Sequence, residues 1–235
     1  MHTAHVEYLD DDIRLEGFFA APESSEKLPG VLIAHAWGGR DGLAEDAAKR
    51  LAADGFACMA LDMYGIGKRG TTPEECRALI TPFLEDRDLV LKRMTAALNT
   101  LRSRESVDAS RTAAIGFCFG GLCALDLARS GADIRGVVSF HGLLSAPPTT
   151  AESVPASVLV LHGHDDPLVD DAEVAQLKAD LSKAGCDWQF HDFGGTYHAF
   201  TNPAAQDEAG GKLFSESANR RSWKMARDFL AEVLT

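Results

Sequence analysis

The sequence predicts an α/β protein with a mostly parallel central sheet, helices on both faces of the sheet and an N-terminal antiparallel hairpin. Short, continuous apolar runs recur along the chain, and between them lie segments whose apolar residues are spaced by three and four. Such runs are typical of strands buried on both faces of a parallel sheet, and such spacing is typical of the helices that cover it. A 235-residue chain with 46% hydrophobic residues can form one core, so we expect a single domain over residues 1–235.

The predicted strands begin with the hairpin. Apolar and polar residues alternate over Val6–Leu9 and Ile13–Ala20, on either side of a turn made of three consecutive aspartates. Buried strands are then predicted at Gly30–Ala34, Phe56–Leu61, Thr112–Ile115, Gly136–Phe140 and Val158–Leu161, with a further strand at Trp188–Phe193.

Helices are predicted between these strands, at Leu43–Ala53, roughly Glu74–Leu101, Leu122–Ala128, Asp171–Ala184 and Arg221–Leu234. Gly55 and Gly185 follow two of them, at positions where glycine commonly ends a helix. The Thr81-Pro82 step interrupts the longest segment, because proline cannot donate a helical hydrogen bond. That segment is therefore interpreted either as one kinked helix or as two shorter ones.

Composition limits the classes of partner. The net charge of −12 argues against nucleic acid and against an anionic membrane surface, since both would repel the protein. Five cysteines, an odd and widely spaced set, together with a start that is neither basic nor apolar, predict a reduced, cytoplasmic protein. The apolar runs are far shorter than the ~20 residues that cross a bilayer.

The run from Gly116 to Gly121 reads G-x-C-x-G-G and directly follows a predicted strand. This is the spacing of a nucleophile elbow, a tight strand-to-helix turn whose glycines avoid clashes with neighbouring backbone. The helix N-terminus that follows favours the thiolate of Cys118, which is the reactive form of cysteine. The pattern predicts a hydrolase that works through covalent catalysis. The alternative is that Cys118 is only a buried core residue, as we expect for Cys58, Cys123 and Cys186.

A nucleophile of this kind needs a base and an acid that orients the base, and on such sheets these follow in the order acid, then histidine. Asp165 and Asp166 both follow the predicted strand at 158–161, and the G-x-x-D-x-x-V pattern from Gly163 favours Asp166. His198 is the candidate base, after two glycines and before an aromatic residue. The remaining histidines are interpreted as structural or terminal: His2, His5, His141 and His191.

Backbone N–H groups of Phe119 and Trp37 are the candidate donors to a developing oxyanion. Trp37 lies in the glycine-containing loop after the strand at 30–34, a loop that could also be a plain tight turn. The predicted substrate pocket is formed by Ala36, Tyr64, Phe117 and Tyr197.

Two other functions remain open at this point. His162 and His164 suggest metal-assisted hydrolysis, although their spacing to the following aspartates does not fit a metal-binding run, and we predict no metal site. The chain could also be a non-catalytic, ligand-binding member of its fold. The predicted C-terminal helix could pack on the core or on a second subunit, so an oligomer is possible.

Four motifs together give a chain-wide resemblance: Gly116–Gly121, the Asp62-Met63-Tyr64-Gly65 segment, Asp166–Val169 and Tyr197–Phe200. The chain resembles the dienelactone hydrolase family of α/β-hydrolases. The resemblance implies the α/β-hydrolase fold and a triad of Cys118, His198 and Asp166. It also implies an oxyanion hole at the Trp37 and Phe119 amides, and hydrolysis of esters or lactones without a cofactor.

The chain departs from the dienelactone-cleaving members of that family at two places. Those members have a glutamate that helps to activate the cysteine, and the aligned position here is Ala36. They also bind the substrate carboxylate with arginines, one of them shortly after the histidine, where this chain has no arginine between Ala199 and Pro203. We therefore expect a neutral ester, lactone or thioester as the substrate.

Overall fold

A computed structural model describes residues 1–235. Its central sheet has eight strands: β1 (His2–Asp10), β2 (Ile13–Ala21), β3 (Leu28–Ala34), β4 (Ala57–Ala60), β5 (Val107–Phe117), β6 (Gly136–Phe140), β7 (Ser157–Gly163) and β8 (Trp188–Phe193). A small second sheet pairs β9 (Gln206–Asp207) with β10 (Lys212–Leu213). The strand order in the large sheet is β1-β2-β4-β3-β5-β6-β7-β8.

Strand direction follows the sequence pattern. β1 and β2 form the N-terminal hairpin, which joins the sheet antiparallel to β4, and all pairs from β4 to β8 are parallel. Asp11 in the hairpin turn has a φ of 49°, a conformation that aspartate tolerates better than most residues. The predicted fold class, the α/β-hydrolase fold with its hairpin, is confirmed.

Six helices cover the sheet: α1 (Gly42–Ala53), α2 (Pro73–Glu85), α3 (Arg87–Arg102), α4 (Phe119–Arg129), α5 (Asp171–Lys183) and α6 (Glu216–Val233). The apolar residues of α1 and α6 form one core with one face of the sheet, and those of α2 to α5 form a second core with the other face. No helix is both long and apolar enough to cross a membrane.

Two helix boundaries differ from the sequence-based prediction. The long segment divides into α2 and α3 at Asp86, while Pro82 lies inside α2. Asp86 ends one helix through its N–H, which donates to the Pro82 carbonyl, and begins the next by accepting two backbone N–H groups with its carboxylate. The last helix begins at Glu216 and not at Arg221, because the Ser215 hydroxyl accepts the N–H of Ala218 as an N-cap.

The register of the parallel strands brings four strand ends to one edge of the sheet. Ala34 at the end of β3 pairs with Gly116 of β5, and Gly116 pairs with Ser139 of β6. Phe140 at the end of β6 pairs with Leu161 of β7. The loops after β3, β5, β6 and β7 therefore lie side by side, at the edge where open α/β sheets place their sites.

A buried ion cluster ties α4 to α3. The Asp126 carboxylate is 1% exposed, and its Oδ2 accepts from Arg87 Nε at 2.7 Å. Arg129 Nη1 lies 3.6 Å from the other oxygen, and Arg129 also donates to the Leu144 carbonyl. Burial raises the pKa of Asp126, and the two guanidinium groups oppose that shift. The cluster fixes the helix that carries the elbow.

Replacing Asp126 with alanine should destabilise the fold by about 3–5 kcal/mol, because two buried arginines lose the carboxylate with which both form ion pairs. Urea unfolding followed by circular dichroism measures the change. Asp133→Ala is the matched control, since Asp133 is exposed and its side chain has no partner; we expect a change within about 0.5 kcal/mol. Similar losses in both variants would contradict the role given to the cluster.

Candidate active site

Cys118 joins β5 to α4 in a strained conformation. Its φ is 55° and its ψ is −119°, a combination outside the regions that side chains ordinarily favour. The residue is the N-cap of α4 but makes no side-chain capping bond, so its sulfur is free to point away from the helix. It is half-buried and lines a deep cavity.

Three glycines of the predicted elbow allow this turn to form. A Cβ at Gly116 would overlap the carbonyl of Gly120, and a Cβ at Gly120 would overlap the carbonyl of Ala34 at the end of β3. A Cβ at Gly121 would lie 2.6 Å from the Ser139 hydroxyl. Each position therefore needs glycine because backbone from a neighbouring element approaches too closely for any side chain.

His198 and Asp166 lie together beside the cysteine. Both are almost fully buried, and His198 Nδ1 lies 2.7 Å from Asp166 Oδ2. The other carboxylate oxygen of Asp166 accepts the N–H of Leu168 at 2.9 Å, which fixes the orientation of the carboxylate. Asp165 is exposed, and only its backbone N–H reaches the histidine loop, where it donates to the Thr196 carbonyl.

The small sheet of β9 and β10 holds the backbone of His198. The His198 N–H donates to the Gly211 carbonyl at 2.9 Å, and its carbonyl accepts the N–H of Leu213 at 3.1 Å. The fully buried Phe200 anchors the following residues in the core. The loop that carries the histidine is thus held on two sides, by β10 and by the core. His198 Nε2 makes no ordinary hydrogen bond and faces Cys118.

The pKa of Cys118 reflects opposing effects. Burial raises the pKa of the thiol, but the positive charge of the neighbouring His198 imidazolium lowers it. Hydrogen bonds from the backbone N–H groups of Phe119 and Trp37 to the sulfur lower it further, and the net shift is downward. Burial by itself lowers the pKa of His198, whereas the Cys118 thiolate and the Asp166 carboxylate raise it, to about 10. This combination favours a thiolate–imidazolium pair.

The loop after β3 is held in place by residues beneath it. The N–H of Met63 donates to His35 Nε2 at 3.2 Å, so His35 Nδ1 carries the proton and donates to the Ala36 carbonyl at 2.7 Å. The Tyr64 hydroxyl donates to the Trp37 carbonyl at 2.9 Å. These bonds orient the peptide groups on both sides of Trp37, whose N–H helps to lower the pKa of the Cys118 thiol.

The cavity in front of Cys118 has a volume of about 590 Å³. Half of its lining residues are hydrophobic, among them Trp37, Leu43, Phe117, Leu143 and Trp223. Six charged side chains also line it: Asp41, Asp46, Asp207, Arg50, Arg77 and Lys212. The charges of opposite sign are equal in number, so the cavity has no strong preference for an anion or a cation.

Two of the four predicted pocket residues line this cavity, Ala36 and Phe117. Tyr64 does not: it is buried behind the loop after β3 and stacks on Phe119 with ring centroids 6.2 Å apart. Tyr197, half-buried beside His198, does not line the cavity either. Of the two, only Tyr64 packs in the core, which an aromatic residue next to a motif residue can do as readily as it lines a cavity.

Two other lining residues were not predicted from the sequence, Lys212 and His141. Lys212 of β10 lies with its ammonium 5.1 Å from the centroid of the Trp37 ring. His141, at the end of β6, lines the cavity beside His198. Both reach the site through contacts between distant parts of the chain. Cavity lining of this kind leaves no signal in a local motif.

Comparison with known proteins places this architecture in a family. The model of the dienelactone hydrolase family matches residues 15–234. The chain belongs to the dienelactone hydrolase family. As a member of that family, it is a hydrolase.

Several relatives align over most of their length. The crystal structure of a dienelactone hydrolase-like promiscuous phosphotriesterase from metagenomic libraries is 35% identical with a TM-score of 0.94, covering 100% of this chain and 99% of that one. An Aquifex aeolicus protein named "Putative carboxymethylenebutenolidase" is 26% identical, covering 97% of this chain and 98% of its own. A Bradyrhizobium protein named "Probable 2-oxo-3-(5-oxofuran-2-ylidene)propanoate lactonase" is 30% identical, covering 78% and 77%.

His162 and His164 of this dienelactone hydrolase family member do not converge. His162 is buried, with its ring centroid 5.5 Å from that of Phe190. His164 is exposed and lies 3.4 Å from an Asp192 oxygen. No group of three or more histidine, cysteine, aspartate or glutamate side chains in the protein is arranged to hold a metal ion.

The lowered pKa of Cys118 predicts rapid alkylation near and below neutral pH. The thiolate persists above the lowered pKa, so the midpoint of the iodoacetamide rate profile should fall below about 8.5, the value of a free thiol. His198→Ala removes the largest lowering contribution and should move that midpoint upward. Mass spectrometry of the modified peptide measures the rate. A midpoint that is unchanged in the variant would contradict the ion pair.

Proposed function

We propose that this chain hydrolyses small, neutral carboxylic esters, lactones or thioesters through an acyl-enzyme on Cys118. One geometric observation carries the proposal. The sulfur of a strained helix N-cap faces the free nitrogen of a buried histidine, and the opposite nitrogen of that histidine lies 2.7 Å from a buried carboxylate. Nucleophile, base and orienting acid thus stand in the order that covalent acyl transfer requires.

The reaction proceeds in two steps. In the first, the Cys118 thiolate attacks the substrate carbonyl carbon, and His198 gives its proton to the departing alcohol or thiol, which leaves the acyl group on sulfur. In the second, His198 takes a proton from a water molecule as that water attacks the thioester carbon. The acid departs, the sulfur regains the electron pair, and the ion pair is restored. Asp166 holds the imidazole with Nδ1 protonated and Nε2 available.

The N–H groups of Trp37 and Phe119 serve as the oxyanion hole. In the resting enzyme both help to lower the pKa of the Cys118 thiol, as N–H groups close to its sulfur do. When the tetrahedral intermediate forms on that sulfur, its oxygen lies within reach of the same two donors. Removing one such donor in other enzymes costs ~2.7–4 kcal/mol, so the pair is a major part of the rate enhancement.

Several features support a neutral substrate. Ala36 lines the cavity beside Cys118, where it adds no carboxylate, and residues 199–203 add no cation. The charged lining residues balance one another, and half of the lining is apolar. The names of the relatives include a lactonase and a promiscuous phosphotriesterase, both consistent with attack on activated esters. We also place the enzyme in the cytoplasm, since all five of its cysteines are unpaired.

Cys118→Ala and His198→Ala should each lower kcat/KM by about 10³-fold or more on small aryl esters and lactones, because each removes a group that forms or breaks a bond. Steady-state hydrolysis with electrospray detection of the acyl-enzyme tests this. Cys123→Ala is the control, since Cys123 is a fully buried residue of α4 that does not line the cavity. Wild-type activity in the Cys118 variant would contradict the proposal. A wild-type protein that binds the esters or lactones but does not hydrolyse them would contradict it as well.

The two neighbouring aspartates offer a second, matched comparison. Asp166→Asn should lower kcat by about 10²–10⁴-fold, because an amide cannot hold His198 in the productive tautomer. Asp165→Asn should leave kcat within about twofold, since that carboxylate is exposed and has no partner in the site. The pair is compared on one ester at saturating concentration. Equal losses in the two variants would mean that Asp166 does not orient the base.

A further inference from the structure

His141 stands out among the groups that the proposed mechanism does not use. It follows β6 directly, is 3% exposed, and lines the same cavity as Cys118 and His198. Its φ is 37°, one of four positive values at residues other than glycine; another of the four belongs to Cys118. Backbone strain of this kind costs on the order of 1–3 kcal/mol and persists where surrounding contacts enforce it, often at functional sites.

The contacts of His141 point to the proposed catalytic base. Its Nε2 lies 2.7 Å from the hydroxyl oxygen of Thr201. Its ring stands edge-to-face with that of His198, with centroids 5.2 Å apart and an interplanar angle of 66°. On a further side it stands edge-to-face with the buried Phe200, with centroids 5.1 Å apart. Its Nδ1 is buried and has no hydrogen-bond partner.

The bond to Thr201 connects two loops that are far apart in sequence. Thr201 lies on the loop that carries His198, and His141 lies at the end of β6, the strand next to the one that carries Cys118. The His141 ring fills the space against one side of the His198 imidazole, so that imidazole cannot rotate in that direction. The hydrogen bond between His198 Nδ1 and Asp166 holds one edge of the His198 ring, and the contact with His141 holds one of its sides.

We propose that His141, fixed by Thr201, is a positioning residue that keeps the His198 imidazole aligned between Asp166 and Cys118. The inference rests on the proposed function, since it assigns His198 as the base. Among the groups that we assign to bond making, His141 contacts only His198, so its effect is exerted through His198.

The charge state of His141 suits this role. Burial lowers the pKa of His141 well below its usual range, and the nearby His198 and His162 add to the shift. The ring is therefore neutral at neutral pH. The titratable groups that face His198 are Cys118, Asp166, His141 and His162. A neutral ring beside it allows His198 to carry the positive charge of the ion pair; a cation there would oppose that charge.

Thr201→Val tests the inference without altering the strained backbone at His141. The substitution keeps the volume of the side chain and removes the hydroxyl that holds His141 Nε2. We expect kcat to fall about tenfold, the effect of roughly one hydrogen bond, with KM within about twofold. We also expect the midpoint of iodoacetamide labelling of Cys118 to shift upward, toward that of a free thiol. Thr201→Ser, which restores the hydroxyl, should return both values to those of wild type.

Thr100→Val is the matched control. Thr100 is also half-buried, and its hydroxyl donates to the Ala96 carbonyl within α3, away from the site. We expect wild-type kcat and labelling. His141→Asn is the second test variant, because asparagine tolerates a positive φ while the ring against His198 is lost. It should lower kcat at least as much as Thr201→Val.

The outcomes separate this inference from the proposed function. If Cys118→Ala retains wild-type activity, the proposed function fails. If Cys118 is essential but Thr201→Val and His141→Asn keep the wild-type kcat and labelling profile, the positioning role is overturned and the proposed function stands. A lowered melting temperature with unchanged kcat and labelling would also overturn it, since that result means that His141 only stabilises the fold.

Discussion

The close approach of α4 to the ends of β3 and β6 is the constraint on which the site depends. Gly120 lies where any side chain would overlap the Ala34 carbonyl, and Gly121 lies against the Ser139 hydroxyl. These contacts fix the first turn of α4, and with it the positive φ of Cys118. They also bring the loop after β3 beside the sulfur, so the proposed nucleophile and both proposed oxyanion donors share a single packing arrangement.

Electrostatics at the site follow from that arrangement and not from the charge of the whole protein. A net charge of −12 disfavours a further negative charge on the protein. The Cys118 thiolate is favoured nevertheless, because His198 and two N–H groups lie against it. Salt in solution screens much of the acidic surface, so the surface charges act on the thiolate only weakly. Burial alone would raise the pKa of the thiol and lower that of the imidazole. The short bond to Asp166 and the mutual attraction of the pair outweigh that cost. In the proposed mechanism, activation of Cys118 therefore does not require a glutamate at the position of Ala36.

The sequence predicted much of the fold and the local part of the site. Continuous apolar runs located the strands, because a strand that is buried on both faces needs an apolar residue at nearly every position. Apolar residues three and four apart located the helices, because a helix buries one face. The elbow was readable because its glycines are required by backbone contact. Division of the long segment into two helices was one of the two interpretations left open, but the boundary falls at Asp86 and not at the Thr81-Pro82 step. Pro82 lies inside α2, and the position at which Asp86 ends α2 and caps α3 depends on how the two helices pack. Tyr64 and Tyr197 were predicted to line the pocket and do not, because an aromatic side chain in a sequence is as compatible with a core as with a cavity wall.

By itself, the sequence determined the fold class, the elbow at Cys118 and the candidates His198 and Asp166, because each depends on residue types within a few positions of one another. Only the tertiary structure decided which aspartate meets the histidine and that the loop with Trp37 lies beside the sulfur. It also decided that His141 and Lys212 reach the cavity. The partners of His141 lie on the loop that carries His198, some 60 positions along the chain. Contacts of that range arise from strand register and helix docking, which no local pattern records.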